Sequence, residues 1–549
     1  MVTASDGADL IITGGAVRTL NPTVPTAEAL AVAGGRIVAL GTAADIARLR
    51  GPLTRVIELH GETVLPGFQD AHVHPLHGGQ GLLECNLLEL PLERGAYLDA
   101  IAAYAAAHPD DKWITGRGWS MPVFPGGTPS RHDLDSVVPH RPAVFDNRDA
   151  HGVWVNTAAL ARAGITRDTP DPPDGRIERE PDGSPQGTLH EGAVRLVKDL
   201  VPAYTQARWE EALLAAQAHL LALGITSVTD AWVEPHQVEP YAALAEDGRL
   251  LLRTNLALWW ARGGDLGQLD WLQAARRRAA VGRPRANTIK LMLDGVLENG
   301  SATLLEPYIG ADGAPTTNRG IPFIDPERLA REFAPALDGA GFQLHFHAIG
   351  DAAVRTGLDA VEAVIAANGR RDRRASIAHL QVIHPADIGR FAVLDVGANI
   401  QPYWASHDAQ MDALTIPFMG PERTARQYPF ASLVHAGARL VGGSDWSVST
   451  ANVMEEIEVA TRRADPHDRA AEPFLPAQAL TLDQAVRAFT QGAAWANGLD
   501  AETGTLAPGF LADLVILDRD IFDTGAGFVA DTKVRATVLN GDVVFEVGA

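Results

Sequence analysis

The sequence predicts an α/β protein whose largest part is a (β/α)8 barrel, a closed ring of eight parallel strands that alternate with helices. Eight apolar stretches in the middle of the chain have the length and β-branched content of strands. Amphipathic, Ala-rich stretches separate most of them, and polar residues follow several. Near-continuous apolar character suits strands that helices cover. The candidate strands lie in "TVLPGFQDAH", "GITSVTDAW", "LLRTNLALWW", "NTIKLMLDG", "FQLHFHAIG", "RASIAHLQV", "VGANIQPYW" and "ARLVGGSDW".

A doubly wound parallel sheet is the alternative architecture for alternating strands and helices. Such a sheet binds its ligand in a crevice where the strand order reverses. It has no use for polar residues at the ends of so many strands, so the pattern favours the barrel.

Short strands and tight turns fill both ends of the chain. Residues 1–64 contain β-branched runs punctuated by Gly pairs, and residues 505–549 contain the similar runs "ADLVILDRD", "VRATVLNG" and "DVVFEVG". Chain ends often lie close together in compact domains. We therefore expect one small β-sandwich built from both ends, beside a barrel that spans residues 65–504.

Residues 85–200 interrupt the alternation of strands and helices after the first barrel strand. This stretch contains the Pro- and Gly-rich runs "PVFPGGTPSRHDLD" and "TPDPPDGRIEREPDGSPQG" and is too long for a simple connection. It predicts an inserted lid or subdomain that lies over the C-terminal end of that strand.

The composition limits the classes of partner. Asp and Glu total 68 and Lys and Arg total 46, which gives a net charge of −22. This charge argues against nucleic acid or an anionic membrane as a partner, so we expect a small-molecule substrate and leave a homodimer open. The single cysteine, Cys85, excludes an intramolecular disulfide and is expected to be buried or part-buried. Because we find neither a signal-peptide pattern nor an apolar stretch of about 18 residues, we expect a cytoplasmic protein.

The run "LPGFQDAHVHP" places His72 and His74 directly after an apolar stretch. Side chains two residues apart point to the same face of a strand, so both imidazoles would converge on one point. Neutral imidazoles are good ligands for divalent metals. An HxH pattern also arises by chance in a chain with 18 histidines, so the rest of the chain must decide.

Further residues of metal-ligating types occupy the other predicted strand ends. In a barrel these ends form one ring, at the face where barrel enzymes hold their active sites. Imidazole, carboxylate and carbamate oxygen suit zinc, with Mn, Fe and Co as alternatives. Besides the two histidines, the ring would contain Lys290, Asp294, His345, His347, His379 and Asp445.

Five motifs follow one another along the chain: "GFQDAHVHP", "IKLMLDG", "HFHAIGD", "IAHLQVIHPADIGRFA" and "GGSDWSV". Together they resemble the motifs of the amidohydrolase superfamily. The sequences "HAIGD" and "AHLQ" are similar to the amidohydrolase-3 branch, which includes N-substituted formamide deformylases, and so is the C-terminal region "ALTLDQAVRAFTQGAAWANGLDAETGTLAPGFLADLVILDRD". The resemblance implies that His72 and His74 bind the more buried metal together with Asp445.

The resemblance also implies a second metal. Lys290, as a carbamate formed with CO2, would bridge to an ion held by His347 and His379. Carbamate formation needs a neutral amine, and burial beside cations lowers the pKa of a lysine, so the residue type suits this role. The alternatives are a structural ion pair of Lys290 with Asp294 or another carboxylate, and a centre with one metal.

Several residues are candidates for substrate contact. His151 lies in "DNRDAHGVWVNTAAL", which also resembles the branch, and above a metal centre it could polarise a carbonyl. Trp119 and Trp154 are either substrate contacts or ordinary core of the insert. Tyr403 and Trp446 either line an aromatic pocket or pack structurally.

Four polar residues complete the set of candidates. Asp294 and Asn156 are further candidates for substrate contact. His345 either supports the metal site or contacts substrate, because it lies two residues before a predicted ligand. His384 is expected to be solvated or to cap a helix.

These residues predict a metal-dependent hydrolase that cleaves a C–N bond of an amide, an N-formyl compound or a related carbonyl compound. Asp445 would take a proton from the activated water and return it to the leaving nitrogen, and Lys290 and His151 complete the predicted catalytic set. A carbamate, lactone or ester hydrolase on the same site is the close alternative, because fold and metal centre do not fix the substrate. A catalytically silent scaffold protein is the alternative from another class, and ligands at every matched position argue against it.

Overall fold

The computed structural model describes residues 7–88, 90–280, 282–523, 525 and 527–548. In chain order, the strands β1 to β22 are Ala8–Arg18, Thr26–Ala33, Arg36–Gly41, Arg50–Glu58, Thr63–Pro66, Phe68–Val73, Cys85–Asn86, Ile114–Trp119, Ala143–Asn147, Gly152–Val155, Gly175–Arg179, Pro185–Glu191, Ile225–Val233, Arg253–Trp259, Arg285–Met292, Gln343–Ala348, Ser376–His379, Gly397–Ile400, Leu440–Gly442, Leu514–Leu517, Val534–Leu539 and Asp542–Glu546. They form three sheets.

The α-helices lie mostly between the strands of the central sheet. In chain order, α1 to α18 are Ala43–Ala47, Pro75–Leu83, Arg94–Ala107, Arg131–Val137, Thr157–Ala163, Arg195–Lys198, Gln206–Ala222, Val238–Glu246, Leu269–Ala279, Pro326–Arg328, Ala334–Gly339, Asp351–Asn368, Pro385–Leu394, Ile416–Thr424, Phe430–His435, Val453–Arg462, Leu482–Arg487 and Ala493–Ala496. Within the described ranges, no helix combines the length and the apolar character needed to cross a membrane.

Eight parallel strands form the barrel sheet that the sequence predicts. They are β6 and β13 to β19, and each pairs with the next one along the chain. This sequential order rules out the doubly wound sheet, whose strand order reverses at a switch point. Most residues of these strands are buried, as expected where helices cover the outside and side chains fill the inside.

Hydrogen bonds between the last and the first barrel strand bring the ring close to closure. The backbone N–H of Asp445 donates to the carbonyl of His72, and that of His74 donates to the carbonyl of Trp446, each over 2.7 Å. Gly443 permits this approach, because a Cβ at its position would lie only 2.7 Å from Cβ of His72. The strands that carry the first and last motifs are therefore neighbours.

Strands from both ends of the chain form one eight-stranded sheet. β1 to β5 come from the N-terminal part, β20 to β22 come from the C-terminal part, and β5 pairs with β20. Leu10, Ile12 and Leu514 belong to the apolar core on this sheet. The described strands pair as a single mixed sheet, so the two-layer sandwich and the domain limits at 64 and 505 remain predictions.

The insert folds as a sheet of its own. Its six strands, β7 to β12, follow α2, which begins directly after the first barrel strand. Trp119, Phe124 and Trp154 lie in its core. Cys85 on β7 is buried and unpaired, as predicted, and burial raises the pKa of its thiol to about 12.

Candidate metal centre

His72, His74 and Asp445 lie together at the C-terminal ends of the first and last barrel strands. Oδ1 of Asp445 lies 2.8 Å from Nε2 of His74 and 3.4 Å from Nε2 of His72. One ligand atom from each of the three residues lies within 4.8 Å of the other two. The side chains are only 0% (His72), 12% (His74) and 5% (Asp445) exposed. These residues could hold a metal ion.

Asp70 fixes the two strands relative to each other below this cluster. Its Oδ1 accepts hydrogen bonds from the backbone N–H of His72 over 3.0 Å and from that of Ser444 over 3.1 Å. The Ser444 hydroxyl donates to Oδ2 over 2.5 Å. Burial raises the pKa of Asp70 to about 7. Asp70 thus positions His72 against Asp445, a role that the sequence did not predict.

His345 orients His72. Its Nε2 lies 2.8 Å from Nδ1 of His72, and its own Nδ1 lies 2.8 Å from the hydroxyl of Ser376. Because Nδ1 of His72 is engaged, its Nε2 is the nitrogen that faces Asp445. Outer hydrogen bonds of this kind fix the ring orientation of metal-ligating histidines. Of the two roles left open for His345, the structure favours the supporting one.

Lys290 is buried next to the same cluster. Its Nζ lies 3.2 Å from Nε2 of His72. Burial lowers the pKa of Lys290 to about 8, and the carboxylates of Asp445 and Asp230 oppose this effect only in part. The lysine therefore lies beside the first cluster, with an amine that loses its proton more readily than usual, and its bridging role remains a prediction.

Asp294 organises the loops beside Lys290. Its carboxylate accepts hydrogen bonds from the backbone N–H groups of Thr303 over 2.8 Å and of Ile349 and Gly350 over 3.0 Å each. Burial raises its pKa to about 7. Among the described residues, no ion pair joins it to Lys290. Substrate contact by Asp294 remains a prediction, and its oxygens are already engaged by these bonds.

His347 and His379 form a second pair of imidazoles beside the first cluster. Their ring centroids lie 4.4 Å apart, and that of His379 lies 4.7 Å from that of His72. Trp404 stacks on His379 at 5.3 Å with an angle of 7° between the rings. His379 has a φ of 78°, a strained backbone conformation of the kind that clusters at functional sites.

The buried imidazoles are in the state that metals bind. The pKa values of four buried histidines lie well below the usual value, mainly because of burial and secondly because of neighbouring cationic groups. These residues are His72, His345, His347 and His379. Their rings are therefore neutral near pH 7. The buried Nδ1 atoms of His74 and His379 have no hydrogen-bond partner within the part of the chain that the structure describes. Unpartnered buried polar atoms are rare, and neutral imidazoles are the donors that divalent metals take. The residues therefore fit a divalent metal.

The sequence profile of the Amidohydrolase family matches residues 55–545. The chain belongs to the amidohydrolase family. Protein LONG AFTER FAR-RED 3 of Arabidopsis thaliana is 32% identical, over 98% of this chain and 92% of that protein. The N-substituted formamide deformylase of Arthrobacter pascens is 28% identical, over 98% of each chain. The predicted resemblance is thereby confirmed.

A solved structure shows the same fold in a protein of low sequence identity. The crystal structure of an uncharacterized metal-dependent hydrolase from Pyrococcus furiosus matches this amidohydrolase-family chain with a TM-score of 0.71. The match covers 93% of this chain and 99% of that chain at 23% identity.

Trp119 and Trp154 lie in the core of the insert. Both are 0% exposed. Nε1 of Trp119 donates to the carbonyl of Phe145, and Nε1 of Trp154 donates to that of Ser130, each over 2.8 Å. Asn156 caps α5. The structure does not bring these three residues to the metal cluster, which favours the alternative of ordinary core for the two tryptophans.

Trp446 and Tyr403 differ in their exposure. Trp446 is 6% exposed and stacks on His219 with 4.8 Å between ring centroids, which favours a packing role. Tyr403 is half-buried, and its substrate contact remains a prediction. His384 is the N-cap of α13, which agrees with the helix cap that was one of its two predicted roles.

His151 of the insert lies close to the centre. Its ring centroid is 5.5 Å from that of His347, and its Nδ1 is 2.9 Å from Oε1 of Glu191. Burial disfavours the charged forms of both His151 and Glu191, but the attraction between the two charges outweighs this effect. The pKa of His151 is therefore raised and that of Glu191 is lowered to about 2. Sequence reasoning missed Glu191, whose run "LHEGAV" gives no motif signal.

Two stacked tryptophans lie at the ends of the second and third barrel strands. The rings of Trp232 and Trp259 are 4.5 Å apart at an angle of 15°, and Trp232 lies 6.5 Å from the ring of His74. Both are half-buried. Both tryptophans lie at the ends of predicted strands, so the position in the sequence that indicated the histidines also indicates these two residues.

Proposed function

We propose that the protein is a metal-dependent hydrolase that cleaves the C–N bond of an amide, an N-formyl compound or a related carbonyl compound. The observation that carries this proposal is the buried grouping of His72, His74 and Asp445 at the strand ends of an amidohydrolase-family barrel. The relative that is named as an N-substituted formamide deformylase supports a carbonyl substrate with a C–N bond.

Zinc is the ion we expect, because two neutral imidazoles and a carboxylate are ligands that it prefers. When bound, the metal would polarise the substrate carbonyl and lower the pKa of a water molecule. A second ion would be held by His347 and His379, together with Lys290 after its amine has combined with CO2 and lost a proton. Manganese, iron and cobalt are the alternatives.

Asp445 is the proposed general base and acid. It would accept the proton of the attacking water and deliver it to the leaving nitrogen, while His74 holds its Oδ1 in place over 2.8 Å. His151 would face the carbonyl oxygen from the insert side, where a polar group stabilises developing negative charge. A closed, water-poor site would strengthen each of these interactions.

Hydrolysis of a carbamate, a lactone or an ester remains the alternative, since the same residues can serve each reaction. A catalytically silent scaffold protein would need no ordered proton carrier at the cluster. The cytoplasmic location and the homodimer that the sequence leaves open remain predictions.

A substrate screen tests the proposed function. Protein purified without chelator would be assayed against N-acyl, N-formyl and cyclic amide compounds and against matched esters. We expect turnover of at least one class that contains a C–N bond, and loss of that turnover in Asp445→Asn. Turnover of esters alone would displace the proposed reaction, and no turnover by metal-replete protein would favour the silent scaffold.

A further inference from the structure

Glu191 is a buried carboxylate at the contact between the insert and the barrel. It ends β12, and its side chain is 3% exposed. Its Oε1 lies 2.9 Å from Nδ1 of His151 and accepts hydrogen bonds from Ser301 Oγ over 2.9 Å and from Asn299 Nδ2 over 3.2 Å. One oxygen thus joins the insert histidine to two residues of a barrel loop.

The second oxygen of Glu191 reaches another barrel loop. Oε2 lies 3.7 Å from Nη2 of Arg262, which follows the third barrel strand. The side chain of Arg262 is 17% exposed, and its guanidinium lies 3.5 Å above the ring of Phe323. A buried carboxylate needs several such partners, because it loses its hydration on burial. Glu191 has them on three separate segments of the chain.

The backbone at Glu191 is held in a conformation that favours glycine. Its φ is 52° and its ψ is −126°. For a residue with a side chain this conformation is strained, and it persists where the surrounding structure holds it in place. Gly295 packs directly against the carboxylate, since a Cβ there would lie 2.4 Å from Oε1 of Glu191. The lack of a side chain at residue 295 therefore leaves room for the carboxylate.

A path of contacts runs from Glu191 to His347. Ser301 Oγ, which bonds Glu191, also accepts from the backbone N–H of Val296 over 3.0 Å. The neighbouring Gly295 offers its carbonyl to Nε2 of His347 over 3.3 Å. His151 completes the loop, because its ring lies 5.5 Å from that of His347. Contacts through Glu191 and Ser301 thus connect His151 of the insert to the loop that His347 contacts.

We propose that Glu191 is the positioning residue that orients His151 over the metal centre. The inference rests on the proposed function, in which His151 faces the substrate carbonyl. The hydrogen bond from Nδ1 of His151 to Glu191 fixes the ring plane and leaves Nε2 for the substrate, as carboxylates do for functional histidines elsewhere. Asn299, Ser301 and Arg262 hold the carboxylate itself.

The insert contains a matched control pair. Glu178 on β11 lies 3.2 Å from Nε2 of His190, the residue that precedes Glu191 on β12. The ion pairs of Glu178 are with Arg176 and His190, and neither involves His151. Glu178→Gln therefore removes the carboxylate of another glutamate–histidine pair in the same sheet and leaves the contacts of His151 unchanged.

Kinetics of single and double variants test the inference. We expect Glu191→Gln to lower kcat by about 10 to 100-fold with KM changed less than threefold, the range for a misplaced polar group at a reacting carbonyl. The double variant with His151→Ala should be no slower than His151→Ala alone, because Glu191 acts through the histidine. Glu178→Gln should keep wild-type kcat. Additive losses in the double variant would overturn the inference.

A spectroscopic measurement tests the positioning without any substrate. In protein with 15N-labelled histidine, the ring signals that disappear in His151→Ala identify that residue. These signals should shift in Glu191→Gln, because the hydrogen bond at Nδ1 loses its charged acceptor, and stay in place in Glu178→Gln. Unchanged signals in Glu191→Gln would overturn the inference even if the substrate screen fails. Shifted signals with no turnover in the screen would instead count against the proposed function alone.

Discussion

The barrel and the insert bring side chains to one site by different means. His72 and Asp445 project from strand ends that are joined by backbone hydrogen bonds, so their positions follow from the barrel itself. His151 lies in the insert, and it is hydrogen-bonded to the buried carboxylate of Glu191, which also contacts a barrel loop. We therefore expect substitutions in the barrel cluster to change metal content and turnover together. Substitutions in the insert should change turnover while the metal is retained.

The largest effect is expected for Lys290→Ala. If the lysine carries the bridging carbamate, its loss should lower turnover by at least about 10⁴-fold and reduce metal content, because both the bridge and the second ion would go. Short carboxylic acids should restore part of both by supplying the missing oxygens. Turnover and metal content are measured on the same preparation, and wild-type values for both would make Lys290 a structural residue.

The barrel and its cluster could be predicted because their signals are local in the sequence. His72 and His74 share a face through their spacing, and the apolar run before Asp445 marks a strand end. Glu191 could not be predicted in this way, since it lies 40 residues from His151 and meets it only when the insert folds. Burial of Trp119 was also undecidable, because a tryptophan in an insert suits core and pocket equally.

Asp445→Asn should come next in size. The amide keeps the shape and one coordinating oxygen of the carboxylate but cannot carry a proton near neutral pH. We expect kcat to fall by about 10² to 10⁴-fold, with a smaller loss of metal. Metal analysis beside steady-state kinetics checks this. A variant with near-normal kcat would remove Asp445 from the proton transfer and leave it at most as a ligand.

His151→Ala probes the insert side of the comparison. Because the histidine is proposed to face the carbonyl oxygen without holding the metal, kcat/KM should fall by about 10 to 1000-fold. Metal content should equal that of the wild type. Loss of metal in this variant would show that the insert belongs to the metal centre and would break the distinction between the two regions.

The smallest effect is a difference in acid stability between the wild type and Glu191→Gln. The pKa of Glu191 is lowered from its ordinary 4.5 to about 2, so its carboxylate stabilises the fold above pH 4.5 and this contribution disappears as the pH falls towards 2. The free energy of unfolding should therefore fall more steeply over that window in the wild type than in the variant. Denaturant titrations at several pH values measure both slopes, and equal slopes would show that Glu191 is not held as a charged group.

Metal analysis of protein purified without chelator tests the central claim most directly. The protein should retain between about one and two equivalents of a transition metal, with zinc expected. One ion would bind at His72, His74 and Asp445, and the second at the neighbouring His347 and His379. Chelation should remove the metal and the hydrolytic activity together, and restoring the metal should return both. Metal-free protein with full activity would contradict the account.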